Sequence, residues 1–202
     1  MSMAHVKNVR QTLLDVAQLL VSQKGYSAVG LNEVLQNAQV PKGSFYHYFG
    51  SKDAFGVALL DHYFGSYLQV MSELFAQNEL TERQKLNRYW QQWIANQTGD
   101  SDAGKCLAVK LGAEVADLSE PMRQALERGT SSIIACIAAS LTRGGEDRSL
   151  ILNDAPQNIA LQLYSLWLGA SVLAKISRTA TPFDQAMSMT QQVLKSTPSI
   201  MK

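Results

Sequence analysis

Apolar positions along the chain recur at intervals of three and four, and the breaks between them fall at capping and turn residues, which predicts an all-α protein. The first predicted helix runs from Lys7 to Lys24 with Val9, Leu13, Val16, Ala17 and Leu20 on one face, and Gly25 closes it. A short second helix covers Leu31 to Ala38. A third covers Pro41 to Tyr48, because proline's missing N–H costs nothing in a first turn. Ser51 caps a long fourth helix from Lys52 to Gln77, and Thr81 opens a fifth that carries Trp90 and Trp93. Gly99 to Asp102 reads as a loop. The sixth helix is expected from Ala103 to Ala116. A seventh starts at Ser119 and lasts to Arg143, with Gly144-Gly145 as its stop. The eighth runs from Asp154 and Pro156 to Arg178, and a ninth from Phe183 to Lys195 precedes a tail. In the eighth, Ile159, Leu163, Leu166, Ala170 and Leu173 form one apolar stripe while Leu161, Tyr164, Leu168 and Val172 form another, so two packing partners are expected.

A hydrophobic share of 46% with 17% charged residues in 202 positions describes a folded protein with a sizeable core. The start, MSMAHVKNVR, has no apolar run of signal-peptide type, and no stretch of eighteen uninterrupted apolar residues follows, so a cytoplasmic protein away from membranes is expected. The net charge of +1 conceals an uneven distribution: residues 1–52 carry five basic side chains against two acidic ones, leaving the remainder net negative. A basic end on a mildly acidic body suits contact with phosphates at that end only.

The most informative string is Val40-Pro41-Lys42-Gly43-Ser44-Phe45-Tyr46-His47-Tyr48-Phe49-Gly50-Ser51-Lys52. On a helix Phe45 and Phe49 share a face that can turn inward, whereas three consecutive amphipathic rings, Tyr46, His47 and Tyr48, cannot all be buried. With Lys42 and Ser44 they form a set of donors and flat rings suited to phosphates, base edges and thymine methyls. Gly43 allows close backbone approach, and Lys52 adds a cation to the N–H groups that open the fourth helix. With Gly25-Tyr26 and the second short helix before it, this string resembles the helix-turn-helix head of the TetR family, over residues 7–60. Gly30, where a Thr or Ser cap is usual, and Gln39, where a turn glycine is common, depart from the pattern. The resemblance implies a DNA-binding head over residues 1–52, with Asn32, Lys42, Gly43, Ser44, Tyr46, His47, Tyr48 and Lys52 at the DNA. A helical regulatory body over 53–202 would then dimerise through its last two long helices on a near-palindromic double-stranded operator.

Residues 105–120 and 164–178 further resemble an electrophile- and oxidant-responsive branch of that family, although Lys105 replaces a glycine common there. Cys106 lies between Lys105 and Lys110 near a helix start, where positive charge favours a thiolate. The competing reading is a small buried hydrophobe. If Cys106 is a sensor, Lys175 is the amine expected to trap its oxidised form, with Lys110 as the alternative. Cys136 sits in an apolar run without a cation and is expected to be inert. A non-covalent inducer would instead use Trp90, Trp93, Met122, Tyr164 and Trp167 as pocket walls, though such aromatics are more often core. No nucleophile-and-base pattern, metal-ligand spacing or phosphate-binding loop points to an enzyme, a cofactor or a metal.

Overall fold

The computed structural model describes residues 9–99 and 107–195. Among them it shows nine helices and no strand: α1 Val9–Lys24, α2 Leu31–Ala38, α3 Lys42–Phe49, α4 Lys52–Phe75, α5 Glu82–Thr98, α6 Leu107–Leu118, α7 Glu120–Glu146, α8 Pro156–Ser177 and α9 Thr181–Val193. They form two compact units, Met1–Gly65 with Ser101–Gly129 and Ser66–Asp100 with Thr130–Lys202. Both α4 and α7 contribute to each.

In the first unit α1 buries Leu13, Leu14, Ala17 and Val21. The expected face is therefore rotated: Leu14 and Val21 are inside while Val9, Val16 and Leu20 are only half-buried. Gly25 ends α1 at φ +91, a left-handed backbone that favours glycine, and its N–H bonds the Val21 carbonyl at 2.9 Å. α2 starts at Gly30 without a side-chain cap and ends at Gln39, φ +55. The Gln39 N–H bonds the Gln36 carbonyl and the Val40 N–H the Leu35 carbonyl at 3.0 Å, so the last turn closes as a Schellman motif on a residue other than glycine. Pro41, at φ −63 and ψ 147, is the extended cap of α3 rather than its first helical residue: its ring fixes φ at a value shared by helix and extended backbone and leaves ψ to choose the latter. Ser51 caps α4 by accepting from the Ala54 N–H at 3.0 Å.

The second unit packs α5, α8, α9 and the distal parts of α4 and α7. Thr81 and Gln84 form a reciprocal capping box at the start of α5. The expected stop at Gly144-Gly145 is corrected: α7 continues to Glu146. Gly144 serves close approach, since the Leu150 N–H bonds its carbonyl at 2.9 Å and a Cβ there would lie 2.4 Å from the Leu150 side chain. α9 opens two residues earlier than expected, at Thr181, with Pro182 in its first turn.

The buried face of α8 consists of Ile159, Ala160, Leu163, Tyr164, Trp167, Ala170, Ser171 and Ala174. That surface cuts across both predicted stripes and leaves Leu161, Val172, Leu173 and Ile176 exposed. By length and composition alone α8 is apolar enough to cross a membrane. Its packing on α9 and its hydrogen-bonded tryptophan instead make it a core helix with one uncovered side.

Candidate nucleic-acid interface and sensing residues

The short helix α3 is held from beneath by three rings. Phe45 and Phe49 are buried and meet Phe55 of α4 with centroids 5.0 and 4.8 Å away. Anchoring the i and i+4 positions inward turns the others outward. Lys42, Gly43, Tyr46, His47 and Tyr48 are exposed and Ser44 is half-buried; Asn32 is exposed on α2. A Cβ at Gly43 would meet nothing within 4 Å, so packing inside the protein does not demand glycine there. What a missing side chain permits is approach from outside.

Lys52, exposed at the first position of α4, holds its ammonium 5.5 Å from the centroid of the Tyr26 ring. Tyr26 donates its hydroxyl to the Lys52 carbonyl at 3.2 Å, and burial together with the charge of Asp53 pushes its pKa up to about 12, so it remains a donor at neutral pH. Arg10, exposed on α1, lies 5.4 Å from the Phe49 centroid. In the sequence Arg10 stands out only as part of the basic excess of residues 1–52. Its contact with Phe49 at the end of α3 places a further cation beside that helix, a placement that depends on the α1–α3 contact and has no local motif.

The aromatic side chains singled out in the body divide. Trp90 and Trp167 are fully buried and stacked, centroids 4.8 Å apart and planes at 10°. Trp93 donates to Ser171 Oγ at 2.9 Å, Trp167 donates to Thr190 Oγ1 at 2.9 Å, and Tyr164 meets Trp93 edge-on at 5.9 Å. Met122 belongs to the first unit, where its thioether packs against Gly56. A cavity lined by Tyr67, Met71, Tyr89 and Trp93 holds about 30 Å³, enough for a water and too little for an organic inducer.

Cys106 lies outside the described residues. Lys110 donates to the Gln23 carbonyl at 2.9 Å, and Lys175 is exposed near the end of α8. For Cys136, burial pushes the thiol pKa up, and Arg143 opposes that shift only in part. The apolar run around Cys136 itself holds no cation; the one that acts on the thiol, Arg143, stands seven residues further along α7. The thiol still stays protonated at neutral pH.

Residues 13–59 match the family of bacterial regulatory proteins of the tetR type, and residues 83–190 match the tetracyclin repressor-like C-terminal domain. The chain belongs to the TetR family. It is 40% identical over 193 residues to the HTH-type transcriptional repressor NemR of Escherichia coli K12, covering 96% of each. It is 30% identical to the transcriptional regulator AcuR of Cereibacter sphaeroides over 90% of this chain and 80% of that one. A crystal structure of reduced E. coli NemR superposes with a TM-score of 0.89, covering 96% of this chain and all of that one. This TetR-family chain is thus a NemR-like transcriptional repressor, and the relatives it matches are regulators rather than enzymes.

Proposed function

We propose that this chain is a homodimeric, cytoplasmic repressor that holds a near-palindromic operator until a reactive electrophile or oxidant modifies Cys106. The observation that carries the DNA-binding part is the outward set Lys42, Tyr46, His47 and Tyr48, raised on the Phe45–Phe49–Phe55 cluster, with Lys52 and Arg10 exposed in the same unit. Such a helix offers donors and rings to a major groove and cations to the flanking phosphates. Dimerisation is supported by the uncovered side of α8 and α9. There Leu166, Leu173, Pro182 and Met189 line an open groove of about 670 Å³. An apolar surface of that kind on a soluble protein marks an association site.

The sensing part rests on chemistry at Cys106. In the sequence Lys105 adjoins Cys106 and Lys110 follows four residues on, a pattern expected to favour the thiolate, and only the thiolate attacks electrophiles. The 40% identical E. coli NemR has been crystallised in a reduced form, which supports redox chemistry in this branch. A second reading, a non-covalent inducer in the body, is favoured by one feature: the buried Trp90 indole N–H has no hydrogen-bond acceptor among the described residues. An acceptor on a ligand would satisfy it.

N-ethylmaleimide or hypochlorous acid should release the wild type from operator DNA in a fluorescence-anisotropy titration. Cys106→Ser should bind DNA normally and ignore both reagents, and Cys136→Ser should respond like wild type. Lys175→Met should spare alkylation yet weaken the hypochlorous acid response if that amine captures the oxidised sulfur. Full release of Cys106→Ser would end the thiol reading and favour the ligand. For the dimer, Leu173→Glu should give monomers or aggregates in sedimentation velocity, since an unpaired charge in an apolar interface is costly; an intact dimer would move the interface elsewhere.

A further inference from the structure

The turn between α1 and α2 is held by a helix far away in sequence. On α6, Lys110 and Glu114 stand four residues apart and share a face. Lys110 donates to the Gln23 carbonyl at 2.9 Å, one of the carbonyls left open by the end of α1. The Glu114 carboxylate accepts the Ser27 N–H at 2.6 Å and the Tyr26 N–H at 3.2 Å. Burial raises the Glu114 pKa, but the hydrogen bonds from Ser27 and Tyr26 and the charge of Lys110 outweigh it and leave the carboxyl below its ordinary value. Gly25 fits the same site: besides its positive φ, a Cβ there would stand 3.2 Å from Glu114 Oε2.

Tyr26 carries this contact onward. Its hydroxyl bonds the Lys52 carbonyl, its ring lies under the Lys52 ammonium, and its Oη would be 2.8 Å from a Cβ at Gly56, where Met122 of α7 also packs. The turn that launches α2 and the residue that opens α4 are therefore tied together by one side chain, and that side chain's backbone is tied to α6. All of these groups lie within the first compact unit. A turn of this kind is commonly satisfied by a neighbouring Asx or Ser side chain. Here the acceptor comes instead from a helix some eighty residues on.

We propose that Glu114 is a positioning residue for operator binding: its carboxylate fixes the α1–α2 turn and, through Tyr26, the start of α4, so that α3 and Lys52 reach the DNA together. This rests on the reading of the α3–Lys52 surface as the DNA contact. Glu114 itself is half-buried and touches no DNA in this scheme.

The test uses the full-length protein and a DNA duplex that the wild type selects from a random-sequence library, with a scrambled duplex as control. Glu114→Ala should bind the selected duplex roughly tenfold more weakly, because two charge-assisted hydrogen bonds are lost. Its preference for selected over scrambled DNA should fall too. Glu114→Gln, which keeps one acceptor oxygen, should lose only about threefold, a partial rescue on the same reasoning. Circular dichroism melts accompany each titration, which is run well below the melting range; simple destabilisation would lower the melting temperature and leave the preference intact. Glu114→Ala that is folded and binds with wild-type affinity and preference overturns the positioning role. If Glu114→Ala does not fold, wild-type affinity in Glu114→Gln overturns it instead. A wild type that selects no duplex defeats the DNA-binding reading of the head, a failure separate from that of Glu114.

Discussion

On α3, Tyr46 and Tyr48 are 51% and 40% exposed, whereas on α5 and α8 Trp90 and Trp167 are at 0%. Both groups are amphipathic aromatics on helices, and by residue type either could be core or contact surface. What separates them is the partner beneath. Phe45 and Phe49 already fill the inward side of α3, so the tyrosines are left outside. In the second unit Ser171 and Thr190 stand where the indole N–H groups of Trp93 and Trp167 need acceptors, which makes burial of those polar rings affordable. Exposed rings are then available for recognition, and buried ones mainly hold the body together.

The sharpest way to break this contrast is to truncate one ring from each group. Trp167→Ala should cost about 3–5 kcal/mol of stability, measured by urea unfolding, since it empties a stacked core site and removes the indole N–H that donates to the buried Thr190 hydroxyl oxygen. Tyr46→Ala should change stability by less than about 0.5 kcal/mol, as exposed positions do, while weakening operator binding. Equal losses of stability from the two would collapse the distinction.

The polar core of the second unit sharpens it further. Glu82 accepts from Lys85 at 2.7 Å, Ser140 at 2.7 Å and Arg143 at 3.1 Å, and Lys85 also donates to the Phe75 carbonyl at 3.0 Å. Burial raises the Glu82 pKa, but the bonds from Arg143, Lys85 and Ser140 prevail and hold it below the ordinary value. A folded pKa below the unfolded one gives stability that is present above the unfolded value, near 4.5, and lost as pH falls toward the folded value. Glu82→Gln should therefore lower stability at pH 7 by about 1–3 kcal/mol, as expected for a lost buried charge-assisted acceptor. Its deficit against wild type should shrink on acidification below pH 4.5; a deficit independent of pH would mean that the carboxylate charge is not what stabilises the cluster.

Smaller effects belong to the head. Lys52→Ala should weaken binding to all duplexes alike and reduce the salt slope by about one unit, because a phosphate contact carries no base information; a change in base preference would instead place Lys52 at a base edge. Smallest of all, Gln39→Gly should stabilise the protein by up to about 1 kcal/mol, read from the urea midpoint, since a left-handed backbone favours glycine over a residue with a Cβ. No gain would mean that the added freedom of glycine in the unfolded chain cancels the relief.

Legibility followed distance along the chain. The helical elements, the inward Phe45 and Phe49 and the outward Tyr46, His47 and Tyr48 could all be read from spacing, because each depends on residues within a turn or two. Errors came where a distant segment intervened. Leu14 and Val21 take the place of Val9 and Leu20 on the buried face of α1, and Gly144 of the Gly144-Gly145 pair serves the close approach of Leu150 and does not end the helix. Arg10 and Glu114 carry no motif, since their partners lie on other helices.

By itself the sequence determined where α4 and α5 begin and how they are capped: Ser51 to the Ala54 N–H and Thr81 to Gln84 are hydrogen bonds spanning a few residues. It also determined the family, because the recognition string is contiguous. Only the tertiary structure decided which side of α8 is covered, that Trp93 finds Ser171, and that Glu114 holds the turn at Tyr26 and Ser27. Those pairs are brought together by helix packing, and a contact between residues tens of positions apart leaves no period in the chain from which it could be read.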